Sequence, residues 1–116
     1  MGIPRHLLLL LLLLPFAYSN QYICGDHTDN KQIISNAKTV IKALVHLTPS
    51  AGSQRYSHGH GVDAVRGLRW CSPNFNPFNC ALCIRIRGND VLKSCKNSIF
   101  AISWSGEYCY IDFQSG

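Results

Sequence analysis

Hydrophobic positions recur at a helical spacing in the first half of the chain. Asp29 stands three residues before Gln32, a spacing typical of a capping box at a helix N-terminus. Beyond it, apolar residues recur every three or four positions and the stripe ends before Pro49: Ile33, Ile34, Ala37, Val40, Ile41, Leu44 and Val45. The pattern predicts an amphipathic helix capped by Asp29. Its lysines also fit a helix lying on a membrane surface, although packing on a core explains the stripe more simply.

The last part of the chain alternates in the manner of a hairpin. Residues 99–104 and 107–113 predict two strands, joined by a turn at Ser105-Gly106. In the second strand, alternate residues share a face. We expect Cys109, Ile111 and Phe113 to meet the core, and Tyr108, Tyr110 and Asp112 to point away from it.

The middle of the chain is less regular. Residues 49–61 are rich in Ser, Gly and His and predict a loop, 62–70 predict a strand, and 71–79 predict a second loop. Asn79 then precedes a segment with the spacing of a second helix, with Cys80, Cys83, Ile84, Val91 and Cys95 on roughly one face. Gly88-Asn89 interrupts that helix, and the alternation at 84–87 fits a strand equally well. These elements together predict an α+β layer fold.

The N-terminus has the pattern of a secretory signal. Eight leucines occupy 7–14, and the small residues Ala17 and Ser19 precede a predicted cleavage before Asn20. The apolar run is too short for a membrane span of about 20 residues, so a retained anchor is the weaker interpretation. We therefore expect a signal peptide at 1–19, a mature domain at 20–116 and no stable membrane anchor.

The charge of the chain is small. The formal net charge is +5, and removal of Arg5 with the signal leaves ten basic and six acidic residues. The arginines are scattered, and export separates the protein from cellular nucleic acid. We expect no nucleic-acid binding; the charge serves solubility and weak attraction to acidic surfaces.

All six cysteines lie in the predicted mature domain. An even number in a small exported chain predicts three disulfides, with fifteen possible pairings. A zinc site at Cys80 and Cys83 with His58 and His60 is the alternative. It lacks a second C-x-x-C or an H-x-x-x-H, and export favours oxidation.

The two histidines also invite an enzymatic interpretation. His58 and His60 have the chemistry of a general acid and base, but nothing in the sequence places a nucleophile or a second catalytic group beside them. We expect exposed histidines in a glycine-rich loop, no enzymatic activity, no cofactor and no metal.

The cysteine spacing carries a family resemblance. Cys71, Cys80 and Cys83 form C-x8-C-x2-C, preceded by Val65-Arg66-Gly67-Leu68. With Cys24, Cys95 and Cys109, this pattern resembles the ginkbilobin-homologous domain of cysteine-rich secreted proteins and receptor-like kinases of plants. Arg66 stands where that family usually has an aromatic residue.

The resemblance implies the fold and the disulfides. It implies two helices packed on an antiparallel sheet of about five strands, with disulfides Cys24–Cys95, Cys71–Cys80 and Cys83–Cys109. A kinase would need a transmembrane helix and a second domain, so the chain is similar to the secreted single-domain type, which acts in the apoplast.

The resemblance also implies a function. The secreted type is antifungal and binds mannose through an Asn, an Arg and a Glu. At the matching positions this chain has Gly25 followed by Asp26, then Ile102 or Ser103, and Gln114. We expect a defence protein that recognises mannose-containing cell-wall glycans through an altered site, with Gly25, Asp26, Ser103 and Gln114 beside Trp104 and nearby tyrosines. The alternative is an interaction module for an extracellular receptor or a microbial protein.

Overall fold

The computed structural model describes residues 21–116 as one five-stranded antiparallel sheet with two helices. The signal peptide predicted at 1–19 and its cleavage site lie outside the described residues. The strands are β1 (Tyr22–Cys24), β2 (Gly52–His58), β3 (Val65–Cys71), β4 (Phe100–Ser105) and β5 (Cys109–Ser115); the helices are α1 (Lys31–His46) and α2 (Pro77–Ser94). The strand order is β1-β4-β5-β3-β2. The predicted fold class is confirmed.

Helix α1 follows the predicted stripe but begins one residue later than predicted. Asn30, not Asp29, is the N-cap, and its side-chain oxygen accepts from the backbone N–H groups of Gln32 and Ile33 at 3.0 and 3.1 Å. Asp29 instead contacts His27 at 2.8 Å. Asn and Asp cap helices about equally well, so two adjacent candidates leave the sequence pattern ambiguous by one position.

Helix α2, in contrast, begins earlier than predicted, and it continues through Gly88. Asn76, not Asn79, caps it, and Pro77 occupies the first turn, where its missing N–H costs nothing. Gly88 does not break the helix, because it lies where the two helices approach. A Cβ at Gly88 would stand 2.6 Å from a methyl group of Val45. The glycine therefore permits close helix packing.

The predicted loop at 49–61 is wrong, because most of it is strand β2. The strand pairs with β3 over all seven residues, from Gly52 opposite Cys71 to His58 opposite Val65. As an edge strand it exposes Ser53, Arg55 and Ser57, and this polar composition resembles that of a loop. The strand predicted at 62–70 begins only at Val65, after a short 3-10 turn at Gly61–Asp63.

Both helices pack on one face of the sheet. The core comprises the inner side chains of the strands together with one stripe from each helix. Cys109, Ile111 and Phe113 are buried there, as the hairpin pattern predicts. Tyr108 lies in the hairpin turn rather than in β5, and its ring stacks on Phe75 with centroids 4.9 Å apart.

Arg69 is an exception to the apolar core. Its side chain is 1% exposed, and it donates to Leu44 O and Thr48 O at 2.9 Å and to Gln54 Oε1 at 2.7 Å. Burial lowers the pKa of the Arg69 guanidinium from its ordinary value, yet an arginine keeps its proton. Its charge is therefore satisfied by oxygens at the C-terminal end of α1 and by one side chain of β2.

Three disulfides attach α2 and its C-cap residue to the strands. Cys71 and Cys109, neighbours across β3 and β5, bond to Cys80 and Cys83 respectively, while Cys24 of β1 bonds to Cys95. These pairs are the ones that the family resemblance implies. Neither Cys80 nor Cys83 retains a thiolate for zinc, so the alternative zinc site does not form.

Replacing Arg69 by Met should lower the free energy of unfolding by about 2–3 kcal/mol, because buried carbonyl oxygens lose a charged donor. Arg66→Met, three residues away on the opposite face, is the matched control and should change it by less than about 0.5 kcal/mol. Urea unfolding monitored by circular dichroism measures both. Equal effects of the two substitutions would show that Arg69 does not secure the helix.

The disulfides should differ in their contribution to stability. Cys24→Ala/Cys95→Ala opens a cross-link that spans 71 residues in sequence, whereas Cys71→Ala/Cys80→Ala opens one that spans 9. Since the entropy of the unfolded chain depends on loop length, we expect losses of about 4 and about 3 kcal/mol respectively. Urea unfolding of both double variants tests this order, and a reversed order would contradict it.

Candidate functional site

The face of the sheet opposite the helices, here called the open face, presents three rows of side chains. Antiparallel pairing places one outward residue of each strand in register with those of its neighbours. The aromatic row contains Ser53, Trp70, Tyr110 and Trp104; the middle row contains Arg55, Leu68, Asp112, Ile102 and Ile23; the third row contains Ser57, Arg66, Gln114 and Phe100. Within residues 21–116, no helix covers these rows.

Three aromatic side chains stand side by side in the aromatic row. Trp70 and Tyr110 are stacked, with ring centroids 5.7 Å apart and planes inclined by 19°. Trp104 follows on β4, directly opposite Tyr110. All three rings are half-buried, so each keeps exposed aromatic surface on the open face.

The two other rows bring arginines beside polar groups. Arg66 and Gln114 face each other across β3 and β5. With the amide oriented to match donor and acceptor, the Gln114 oxygen accepts from Arg66 Nε at 3.0 Å and from Nη2 at 3.2 Å. Arg55 of β2 and Asp112 of β5 lie in the middle row, on either side of Leu68 of β3. These residues line one polar cleft with Ser57 and Leu68.

Asp112 is the acidic member of this cleft. Burial raises the pKa of its carboxyl above the usual 3.8, and a hydrogen bond from the backbone of Leu68 and the positive charge of Arg55 oppose that rise. The charged form of Asp112 is therefore less stable in the folded protein than in the unfolded chain. Its ionisation couples to any charge that enters the cleft.

The structure separates Ser103 from the other residues predicted to bind a sugar. Gln114 is exposed on the open face, whereas Ser103 is fully buried on the helix side and donates from its hydroxyl to Gln21 O at 3.2 Å. Ile102, the other candidate at that position, is on the open face beside Asp112. A sugar that contacts Gln114 on the open face would not reach the Ser103 hydroxyl.

Gly25 and Asp26 lie at the β1–β4 edge, near Gln114. Gly25 N–H donates to Phe100 O at 2.7 Å, and Ile99 N–H donates to Asp26 O at 2.9 Å. A Cβ at position 25 would collide with the ring of Phe100, which pairs with Gln114 across the hairpin. An aromatic ring therefore occupies the space that a side chain at position 25 would enter.

The two histidines singled out from the sequence lie away from this face. His58 and His60 are exposed beside Gly59, in a separate cleft near Asn36 and Asp63. Asp63 Oδ1 accepts from the Asn30 side chain at 2.9 Å. Among residues 21–116, neither imidazole bonds to a carboxylate, and no group of three or more potential metal ligands occurs.

Sequence reasoning missed Arg55, Arg66 and Trp70 as site residues. The apolar alternation that marks a strand with one solvated face is absent: 53–57 is polar apart from Tyr56, and in 66–70 Leu68 and Trp70 point outward while Arg69 points inward. The assignment of 49–61 to a loop left Arg55 out of the predicted sheet, and the sequence sets no register that would place Arg66 and Trp70 beside it. The outward direction of Tyr110 and Asp112 was predicted, but their neighbours across the sheet were not.

Comparison with known proteins identifies the family. A family described as "Salt stress response/antifungal" matches residues 19–116. The chain belongs to this family. It is 24% identical over 106 residues to a cysteine-rich receptor-like protein kinase 31 of Arabidopsis thaliana, covering 87% of this chain and 16% of the kinase.

Solved structures of Arabidopsis thaliana proteins share the fold. The tandem DUF26 ectodomain of the cysteine-rich receptor-like protein PDLP5 superposes with a TM-score of 0.68 at 20% identity, over 82% of this chain and 43% of that one. The tandem DUF26 ectodomain of the cysteine-rich receptor-like protein PDLP8 superposes with a TM-score of 0.71 at 22% identity, over 82% of this chain and 47% of that one. The chain thus spans less than half of each ectodomain. In the described part of the chain, none of the helices has the length and apolar character for a membrane span.

Asp112 predicts a specific pH dependence of stability. Because its pKa is raised on folding, the folded state binds this proton more tightly, and stability falls as pH rises through the interval above 3.8. Asp112→Asn should therefore be more stable than the parent protein at neutral pH, and the gain should vanish below pH 3.8. Urea midpoints across this range measure it.

The matched control is Glu107→Gln, which removes the same charge from the exposed hairpin turn. We expect Glu107→Gln to show little change in stability across the same range. A gain for Asp112→Asn that persists unchanged in acid would contradict the assigned cause.

Proposed function

We propose that this chain is an extracellular defence protein that recognises cell-wall glycans on the open face of its sheet. The family description, salt stress response and antifungal action, supports the biological role. Three disulfides support an oxidising compartment, and the predicted signal peptide supports secretion to the apoplast. In this proposal the domain binds its ligand and catalyses no reaction.

The observation that carries the proposal is the juxtaposition of aromatic and polar rows. Sugar rings present C–H faces that pack on aromatic rings and hydroxyl groups that need donors and acceptors. Trp70, Tyr110 and Trp104 offer the first surface. Arg66 and Gln114 offer the second. They lie on the same two strands as Trp70 and Tyr110, two rows further along the strands.

Free mannose is expected to bind weakly in this proposal. Gly25 carries no side chain, Ser103 points into the core, and Gln114 lacks the charge of a glutamate. Each lost hydrogen bond removes about 0.5–1.5 kcal/mol. A polymer that contacts several rows at once compensates for weak individual contacts, so mannan is the better probe than the monosaccharide.

A second candidate function is recognition of an extracellular receptor or a microbial protein. An apolar strip at the β1–β4 edge favours it: Ile23 is 53% exposed and Phe100 is 37% exposed, with Ile102 between them on the open face. Contiguous exposed apolar surface often marks a protein contact. The ectodomain matches are receptor-like proteins.

Titration with yeast mannan separates these two functions. Using the disulfide-bonded protein purified from the medium of secreting cells, we expect saturable NMR shifts at the Trp70 indole, Tyr110 and Gln114, and none at the buried Ser103 hydroxyl. Trp70→Ala should weaken binding roughly tenfold, since an aromatic contact contributes about 1 kcal/mol or more.

Phe78→Ala is the matched control, because Phe78 is 76% exposed on α2, away from the open face. It should leave mannan binding unchanged. Absence of shifts with mannan in a well-dispersed spectrum would reject recognition of mannose-containing glycans on the open face.

A further inference from the structure

The open face contains a polar cleft with a surplus of positive charge, here called the arginine cleft. Six side chains from three strands line it, with a volume of about 320 Å³. They are Arg55 and Ser57 of β2, Arg66 and Leu68 of β3, and Asp112 and Gln114 of β5. None of them contributes to the core, which lies on the opposite face.

The two guanidinium groups are free to bind an anion. Arg55 and Arg66 are both exposed, and among residues 21–116 neither is in an ion pair. Asp112 is the one carboxyl group lining the cleft, and it is half-buried. The cleft thus presents two positive charges against one negative charge.

Gln114 orients one of these arginines. Its amide oxygen accepts from Nε and Nη2 of Arg66, which uses two of the five N–H donors of the guanidinium. The remaining donors, and the amide N–H groups of Gln114, are left for a ligand. A guanidinium held in this manner presents a planar pair of donors that matches a carboxylate.

The aromatic row extends the same surface toward the other end of the strands. Leu68 and Trp70 are two residues apart on β3, a separation of about 7 Å along a strand. An extended ligand lying along the strands would therefore contact Arg66 and Gln114 first, then Arg55 and Asp112, then Trp70 and Tyr110. A polymer of sugar rings that carry anionic groups can contact the arginines and the aromatic rings at the same time.

We propose that the arginine cleft binds the carboxylate groups of an acidic saccharide, a polymer of uronic acids, whose rings pack on Trp70 and Tyr110. The proposal rests on the proposed function, glycan recognition on the open face, and names the class of glycan. Arg55 and Arg66 set the preference for an acidic over a neutral polymer, while the aromatic row binds either.

The test uses the full chain expressed in secreting eukaryotic cells and purified from the medium. Three probes are titrated by calorimetry and NMR: an oligogalacturonate, the same oligosaccharide with its carboxyl groups methyl-esterified, and yeast mannan. We expect the oligogalacturonate to bind with shifts at Ser57, Leu68, Gln114 and the Trp70 indole. Its affinity should exceed that of the ester roughly tenfold or more, because the charge-assisted hydrogen bonds are lost in the ester.

Two double variants separate the cleft from general charge. The Arg55→Gln/Arg66→Gln variant should bind the acid and its ester with about equal affinity. Its affinity for the acid should fall roughly tenfold or more. Lys42→Gln/Arg85→Gln removes the same charge from exposed positions on the helices and should keep the preference for the acid. Comparable urea midpoints and dispersed spectra establish that both variants fold.

Each alternative outcome has a distinct meaning. Equal losses in both double variants would overturn the cleft and indicate general attraction of anions. Equal binding of the acid, its ester and mannan would overturn the acidic preference while leaving glycan recognition intact. Absence of shifts with every saccharide would overturn both proposals. If the Arg55→Gln/Arg66→Gln variant instead changed sedimentation or capture of a protein partner, the open face would be a protein interface.

Discussion

The rest of the structure depends on the alternation of β3, in which Arg69 points to the core and Arg66, Leu68 and Trp70 point away. Arg69 contacts the C-terminal end of α1 and the side chain of Gln54 on β2. A slip of one residue would place this charge on the open face and Trp70 beneath the helix. A buried guanidinium without those acceptors would cost several kcal/mol. The same contact that secures α1 therefore determines which side chains form the candidate site.

The two helices are attached to the sheet by different means. Helix α1 buries six residues in a regular stripe and has no disulfide. Helix α2 buries only Cys80, Ile84, Gly88 and Val91, and Gly88 contributes no side chain. Three disulfides on α2 and its C-cap residue compensate for this thin stripe, because a covalent link stabilises where little apolar area is buried. All three disulfides lie on the helix side of the sheet, so none of them occupies the open face.

The positions that the family resemblance associates with mannose make contacts within the fold. Phe100 covers Gly25, Ser103 faces the core, and Gln114 binds an arginine from β3. The arginines of the open face lie on β2 and β3, and Asp112 and Gln114 lie on β5. The proposed ligand is therefore an acidic sugar polymer. The exposed apolar strip at the β1–β4 edge lies outside the arginine cleft.

Local pattern alone determined helix α1, the terminal hairpin and the inward face of Cys109, Ile111 and Phe113, since each depends on a periodicity that one segment carries by itself. Cysteine spacing, through the family resemblance, implied the sheet and the disulfides. Tertiary structure decided the rest. Strand β2 forms because β3 offers it a partner, not because its polar residues favour a strand. Helix α2 passes through Gly88 because Val45 packs there. Arg55, Arg66 and Asp112 come from three separate segments, and only the antiparallel register brings them into one cleft, because backbone hydrogen bonds between distant segments set which side chains stand side by side.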